Sequence, residues 1–238
     1  MEMKDPERFR IFSGSTLKML AMILMLIDHT AHHIVILTNP VSFSVFGVTI
    51  TLYRLMRWVG RMSFPIFAFL LTEGFIHTHD RRKYGINLLV FALISEIPWN
   101  LEHSGTFLYP KQNVMFTLLL GYLGMCVTEK YKEDRKRQAI LLLGLLALSF
   151  IIRADYGYRG FAFILLLYVL RNNKVLQCVI GITLLPSTWV GGLAFIPVNM
   201  YNGQRGFVKK PVQKYLMYAV YPVHMLVLYY IKLKMGGF

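Results

Sequence analysis

Stretches of roughly twenty apolar residues recur along this chain, separated by short clusters of lysine and arginine, and that alternation excludes most water-soluble folds. A helix rises ~1.5 Å per residue, so about twenty residues cross the ~30 Å of hydrocarbon in a bilayer. Nine candidate spans can be read, at 17–37, 56–76, 84–101, 113–129, 138–152, 158–171, 174–189, 191–201 and 214–232. The range is eight to ten. Pro186, Gly191, Gly192 and Pro197 interrupt the stretch 174–201, which can also be read as a re-entrant or discontinuous hairpin. The expected fold is therefore all-α, a polytopic integral membrane helical bundle of about nine spans. No internal repeat or long linker divides the chain, so residues 1–238 are expected to form a single transmembrane domain.

Composition agrees with this and removes one rival. Hydrophobic residues make up 55% of the chain and the mean hydropathy is +0.49. The net charge of +14 would suit nucleic acid only if it gathered on one face of a soluble domain, and here it collects between apolar runs, so no nucleic-acid partner is expected. Membrane topology explains it better, because short cytoplasmic loops retain Lys and Arg. An amino terminus inside places Lys4, Arg8, Arg10 and Lys18 on the cytoplasmic side, with Arg81 to Lys83, Lys130 to Arg137, Arg171, Lys174, Arg205, Lys209, Lys210 and Lys214. The carboxyl terminus then falls outside. The first run is too long and too polar for a signal-peptide core and reads as a retained helix. Cys126 and Cys178 lie inside apolar runs, where a thiol behaves as a small hydrophobe.

The first run is also where chemistry concentrates. Lys18 and His29 are eleven residues apart, and Asp28, His32 and His33 share the run. At ~100° per residue, eleven steps return to nearly the same helix face about 16 Å along the axis. Ionisable groups inside a span are costly and point to function, although Lys18 alone also fits a snorkelling anchor. His29 is the candidate general base, since a neutral imidazole accepts a proton near physiological pH. Asp28 stands ~100° from His29 around the helix and is poorly placed to orient its ring; by spacing it pairs with His32, while His33 shares the face of His29. A metal site is the rival reading of this cluster, but no second ligand motif and no HExxH accompany it, so no metal is expected.

Three further polar intrusions follow. Arg61 lies deep enough in its run to need a partner, and Asp28 or Glu96 from another span suits it better than Glu73, twelve positions along the same helix. Glu73 and His77 are one turn apart at the inner mouth. Glu96 precedes Pro98 near the outer side, and both Arg61 and Glu96 fit structural roles as well as catalytic ones. His224 follows Pro222 in the last run, and alone reads as a core histidine. The turn Tyr201, Asn202, Gly203, Gln204, Arg205, Gly206 precedes Lys209 and Lys210 and offers backbone donors and positive charge. With Lys18 it suggests an inner site for an anionic cofactor, or an ordinary basic loop. No Walker loop or GxGxxG is present.

Four segments together carry a family resemblance: Leu17-Lys18-Met19-Leu20-Ala21-Met22 with Ile27-Asp28-His29; Gly60-Arg61 with Phe64-Pro65-Ile66-Phe67 and Glu73-Gly74-Phe75; Ile94-Ser95-Glu96-Ile97-Pro98; and Tyr201-Asn202-Gly203 with Tyr221-Pro222-Val223-His224. On these the chain resembles the TraX family of membrane proteins, named for the pilin acetylase of conjugative plasmids. The family is similar to the wider transmembrane acyltransferases, whose first helix carries a basic residue, ten intervening positions and a histidine. The resemblance implies a multi-pass protein of the bacterial cytoplasmic membrane that passes the acetyl group of cytoplasmic acetyl-CoA to an amine or hydroxyl. The acceptor would be a peptide amino terminus or a glycan, reached from the membrane or the far side. His29, Asp28, Glu96 and Arg61 would form the catalytic set. Lys18, Glu73, Tyr201, Asn202, Arg205 and His224 would hold the acyl donor. A proton-coupled transporter is the alternative, because membrane Asp, Glu and His also serve proton relays and 174–201 could form a broken-helix site. A scaffold assembling with pili is the third reading, and a homo-oligomer is compatible with all of them.

Overall fold

A computed structural model describes residues 9–38, 41–45, 48–185 and 189–237. Eleven α-helices are found among these residues: α1 Gly14–His33, α2 Leu52–Gly60, α3 Ser63–His77, α4 Arg81–Ser104, α5 Val114–Lys130, α6 Arg135–Ile151, α7 Gly157–Val169, α8 Lys174–Thr183, α9 Trp189–Leu193, α10 Phe195–Asn199 and α11 Pro211–Lys234. The expected all-α bundle is thus the dominant architecture. One departure is a hairpin of β1 Ser42–Val45 and β2 Val48–Thr51, antiparallel with Phe43 opposite Ile50 and Ser44 opposite Thr49. Its strands alternate hydroxyl and apolar residues, which suits a pleated pair.

The protein is a multi-pass membrane protein. The stretch Leu52–His77, α4 and α11 are the three described segments both long and apolar enough to cross a bilayer. They correspond to three of the nine expected spans, 56–76, 84–101 and 214–232. α8 has 10 residues and α7 has 13, about 15 and 20 Å of rise, short of the ~30 Å core. α1 has the length, at 20 residues, but Lys18, Asp28 and three histidines depress its hydropathy. The described residues of the stretch 174–199 form short helices, α8 packing against α9 and α10, and Pro186 lies outside the described residues. A Cβ on Gly192 would come 2.4 Å from the Ile182 side chain, so the glycine permits this close contact.

Helix boundaries follow local chemistry. The Ser13 side chain caps α1 by accepting from the Thr16 amide at 3.2 Å, a contact worth about 1 kcal/mol. Thr51, the last residue of β2, caps α2 in the same way. α4 runs through Pro98 and ends at Gly105, whose φ of +69° provides the left-handed C-cap. It therefore extends to Ser104, three residues beyond the expected end of its span.

The chain divides into two compact units, residues 1–70 with 174–217 and residues 71–173 with 218–238. In the first unit α1 packs against α2. A Cβ on Gly60 would lie 2.7 Å from the Asp28 Cα, so these backbones meet where only glycine fits. Ser63 reinforces the pairing by donating to the Ala21 carbonyl at 2.8 Å. In the second unit α5 is central, packing against α4, α6 and α7. Gly121 accommodates Ile164 of α7, and a built Cβ there would come 2.6 Å from it.

Candidate functional site

Lys18 and His29 lie on one unbroken helix, α1, so their spacing is realised as helical geometry. The first turn of α1 is zipped to the segment 200–208. Phe12 N–H donates to the Met200 carbonyl at 3.0 Å and Asn202 N–H to that of Phe12 at 2.9 Å. Gly14 and Ser15 N–H groups donate to the carbonyls of Gln204 and Arg205 at 2.8 and 2.9 Å. The Ser15 hydroxyl donates to the Arg205 carbonyl at 2.7 Å and accepts from Val208 N–H at 2.9 Å. Gly206, with φ of +83°, passes so close to Ser13 that a Cβ would sit 2.3 Å from its Oγ. Tyr201 is fixed by an edge contact with Phe69, centroids 5.4 Å apart.

This zipper changes the reading of the turn. The amides of Gly14 to Leu17 are all engaged within the protein, and so are those of Asn202, Gln204 and Val208. Among the donors of the glycine-rich turn, the Asn202 amide is engaged by the Phe12 carbonyl and the Gln204 amide by the Asn202 side chain, so part of that anion cradle is committed within the protein. Cationic side chains add positive charge at the same place. Lys18 is half-buried and lies within electrostatic reach of Arg205 and Lys214. Asp28 is the sole carboxylate among the described residues of this unit, so the charge around Lys18, Arg205 and Lys214 is positive.

Asp28 is buried, and the Arg57 guanidinium donates to its Oδ2 at 2.6 Å. Arg61 Nε stands 3.9 Å from Oδ1. Spacing along α1 places His32 one turn from Asp28, and Arg57 of α2 and Arg61 just beyond it bring two guanidiniums to the same carboxylate, Arg61 meeting one of the two partners expected for it. Arg57 was not among the residues singled out from the sequence. The signal was there, since Arg57 and Arg61 are four residues apart and share a face of the helical path. His29, half-buried, stands on the shared face with His33, ring centroids 6.1 Å apart.

The other site residues belong to the second unit. Glu96 Oε2 accepts from the Asn113 side-chain amide at 2.6 Å. Asn113 is fully buried; it also donates to the Ala92 carbonyl and caps α5 through its oxygen. Its position just before the apolar run of α5 was the sequence signal for this cap. Glu73 meets His77 one turn on, Oε2 to Nε2 3.5 Å. His224 is buried, with Nδ1 2.8 Å from the Val220 carbonyl of its own helix. Thus Lys18, Asp28, His29, Arg61, Tyr201, Asn202 and Arg205 share the first unit, and Glu73, Glu96 and His224 the second.

A family model described as TraX protein matches residues 13–232. The chain is also similar to a curated protein of Dichelobacter nodosus named probable fimbrial assembly protein FimC, serogroup H1. They are 27% identical over 247 residues, covering 91% of this chain and 94% of that one. No solved structure matches the chain.

Proposed function

The chain belongs to the TraX family, and from that premise we propose that it is a membrane-embedded acetyltransferase moving an acetyl group from cytoplasmic acetyl-CoA to an amine or hydroxyl acceptor at or across the membrane. The observation that carries this reading is the single helix α1, which holds a cation near its start and a titratable base eleven residues on. The amino terminus is cytoplasmic, as the basic loops indicate.

CoA presents a diphosphate and a phosphomonoester, and the cluster of Lys18, Arg205 and Lys214 has the matching charge. His29 acts at the thioester. It removes a proton from the acceptor as the nucleophile attacks the carbonyl carbon, the C–S bond breaks and CoA leaves. Arg61 and Arg57 hold Asp28, so fixed charges lie beside His29 in sequence and the residual positive charge suits a developing oxyanion. Glu96 and Glu73 shape polar regions of the second unit. The acceptor is a pilus or envelope subunit, a choice supported by the fimbrial name of the Dichelobacter relative.

The test uses membrane vesicles from producing cells, which carry native acceptors, incubated with acetyl-CoA labelled in the acetyl group. Wild type is expected to transfer label to acceptor, and His29→Ala to lower the rate by about 100-fold or more. Undiminished transfer in His29→Ala would remove the assigned role.

A further inference from the structure

The inner end of the second unit carries a pair of arginines outside the residues assigned to acetyl transfer. Arg81 opens α4, and its guanidinium lies over the Phe75 ring of α3, 4.4 Å from the centroid. Arg171, just beyond α7, lies over the Tyr168 ring at 4.7 Å. These two rings meet edge to face, centroids 5.3 Å apart, so the guanidiniums cover neighbouring rings. Both also lie within electrostatic reach of the Tyr168 hydroxyl.

Each arginine is anchored as well as stacked. The Tyr122 hydroxyl donates to the Arg81 carbonyl at 2.7 Å, and Arg171 Nη1 donates to the Tyr168 carbonyl at 3.1 Å. A guanidinium resting on a ring face keeps in-plane N–H groups for an oxyanion. Glu129 accepts from the Tyr168 hydroxyl, one carboxylate beside two cations. The wider charge has the same sign, since segments 77–83, 129–137 and 171–173 carry nine Lys and Arg against four Asp and Glu. Two of those four, Asp80 and Asp134, accept from the Lys83 and Arg137 amides as helix caps. Within two turns of the arginines, Ile76, Ile86 and Val169 expose apolar side chains. Cations bordering exposed apolar surface match a molecule with an anionic head and a hydrocarbon tail.

We propose that Arg81 and Arg171 hold the phosphate of an anionic phospholipid from the cytoplasmic leaflet, with its acyl chains against the neighbouring apolar side chains. The basic loops place these helix ends on the cytoplasmic side, where anionic headgroups draw Lys and Arg to the surface. Phosphatidylglycerol offers a phosphate with a full negative charge. Phosphatidylcholine offers one whose charge its own ammonium cancels, so the guanidiniums discriminate between the two. The site is built within the second unit alone, and it stands whether or not the protein transfers acetyl groups.

The test offers the full chain, purified in an uncharged detergent, equal amounts of phosphatidylglycerol and phosphatidylcholine, and native mass spectrometry reads which lipid is retained. Wild type should favour phosphatidylglycerol, and Arg81→Gln with Arg171→Gln should lower that preference by about tenfold. Arg82→Gln with Lys136→Gln removes the same charge from the same inner end and should leave the preference within about twofold of wild type. Arg81→Lys with Arg171→Lys keeps the charge, gives up the planar fork, and should lower the preference by about threefold. This lysine pair decides the question if the first glutamine pair does not fold. Equal losses in the two glutamine pairs, or a lysine pair that matches wild type, would overturn the proposal by making the attraction diffuse. A wild-type protein with no preference would overturn it outright. Displacement of the lipid by inorganic phosphate would do so by making the site one for a soluble anion.

Discussion

Asp28 and Glu96 are both carboxylates on apolar helices, and they are held in opposite ways. Asp28 faces two guanidiniums, Arg57 at 2.6 Å and Arg61 at 3.9 Å. Glu96 is held by a neutral amide, Asn113, at 2.6 Å. An ion pair away from water depends on both charges, because removing one strands the other. A carboxylate bonded to an amide loses much less when its charge is removed, because the hydrogen bond can be remade by a neutral acceptor. Asp28 is thus a fixed anion that locks α2 to α1, and Glu96 is a site where charge can change without loss of the fold.

The sharpest way to break this contrast is Asp28→Asn, which leaves two guanidiniums without their carboxylate. It should cost about 3–5 kcal/mol, read as a large drop in the melting temperature of detergent-solubilised protein. Gly60→Val tests whether close approach creates the pair. A Cβ there meets the Asp28 backbone at 2.7 Å, so the helices must separate, with a loss of about 3 kcal/mol and greater protease sensitivity between α1 and α2. The smallest effect belongs to Glu96→Gln, expected within about 1 kcal/mol of wild type by thermal unfolding. A large destabilisation there would erase the distinction between the two carboxylates.

Much of the local structure was legible in the sequence. Capping serines, threonines and asparagines stood where helices begin, and the apolar runs became helices. The Lys18 to His29 spacing survived because α1 has no breaker between them. Three of the nine expected spans meet both length and hydropathy, and the others fall on helices that are shorter, as α7 and α8 are, or more polar, as α1 is. The hairpin at 42–51 was missed because it lies between two stronger helical patterns. Arg57 stands near the start of an apolar run, where a charge needs no explanation until its neighbour is known.

Helix identity, membrane residence and the alignment of Lys18 with His29 follow from the sequence alone, because periodicity and hydropathy act within one segment. Tertiary structure decided the partners. Arg57 reaches Asp28 because Gly60 lets two backbones touch, and the carbonyls of Gln204 and Arg205 take the first amides of α1 because these distant segments lie side by side. The selection arises from which distant segments come within a hydrogen bond of each other, and no local spacing encodes that distance.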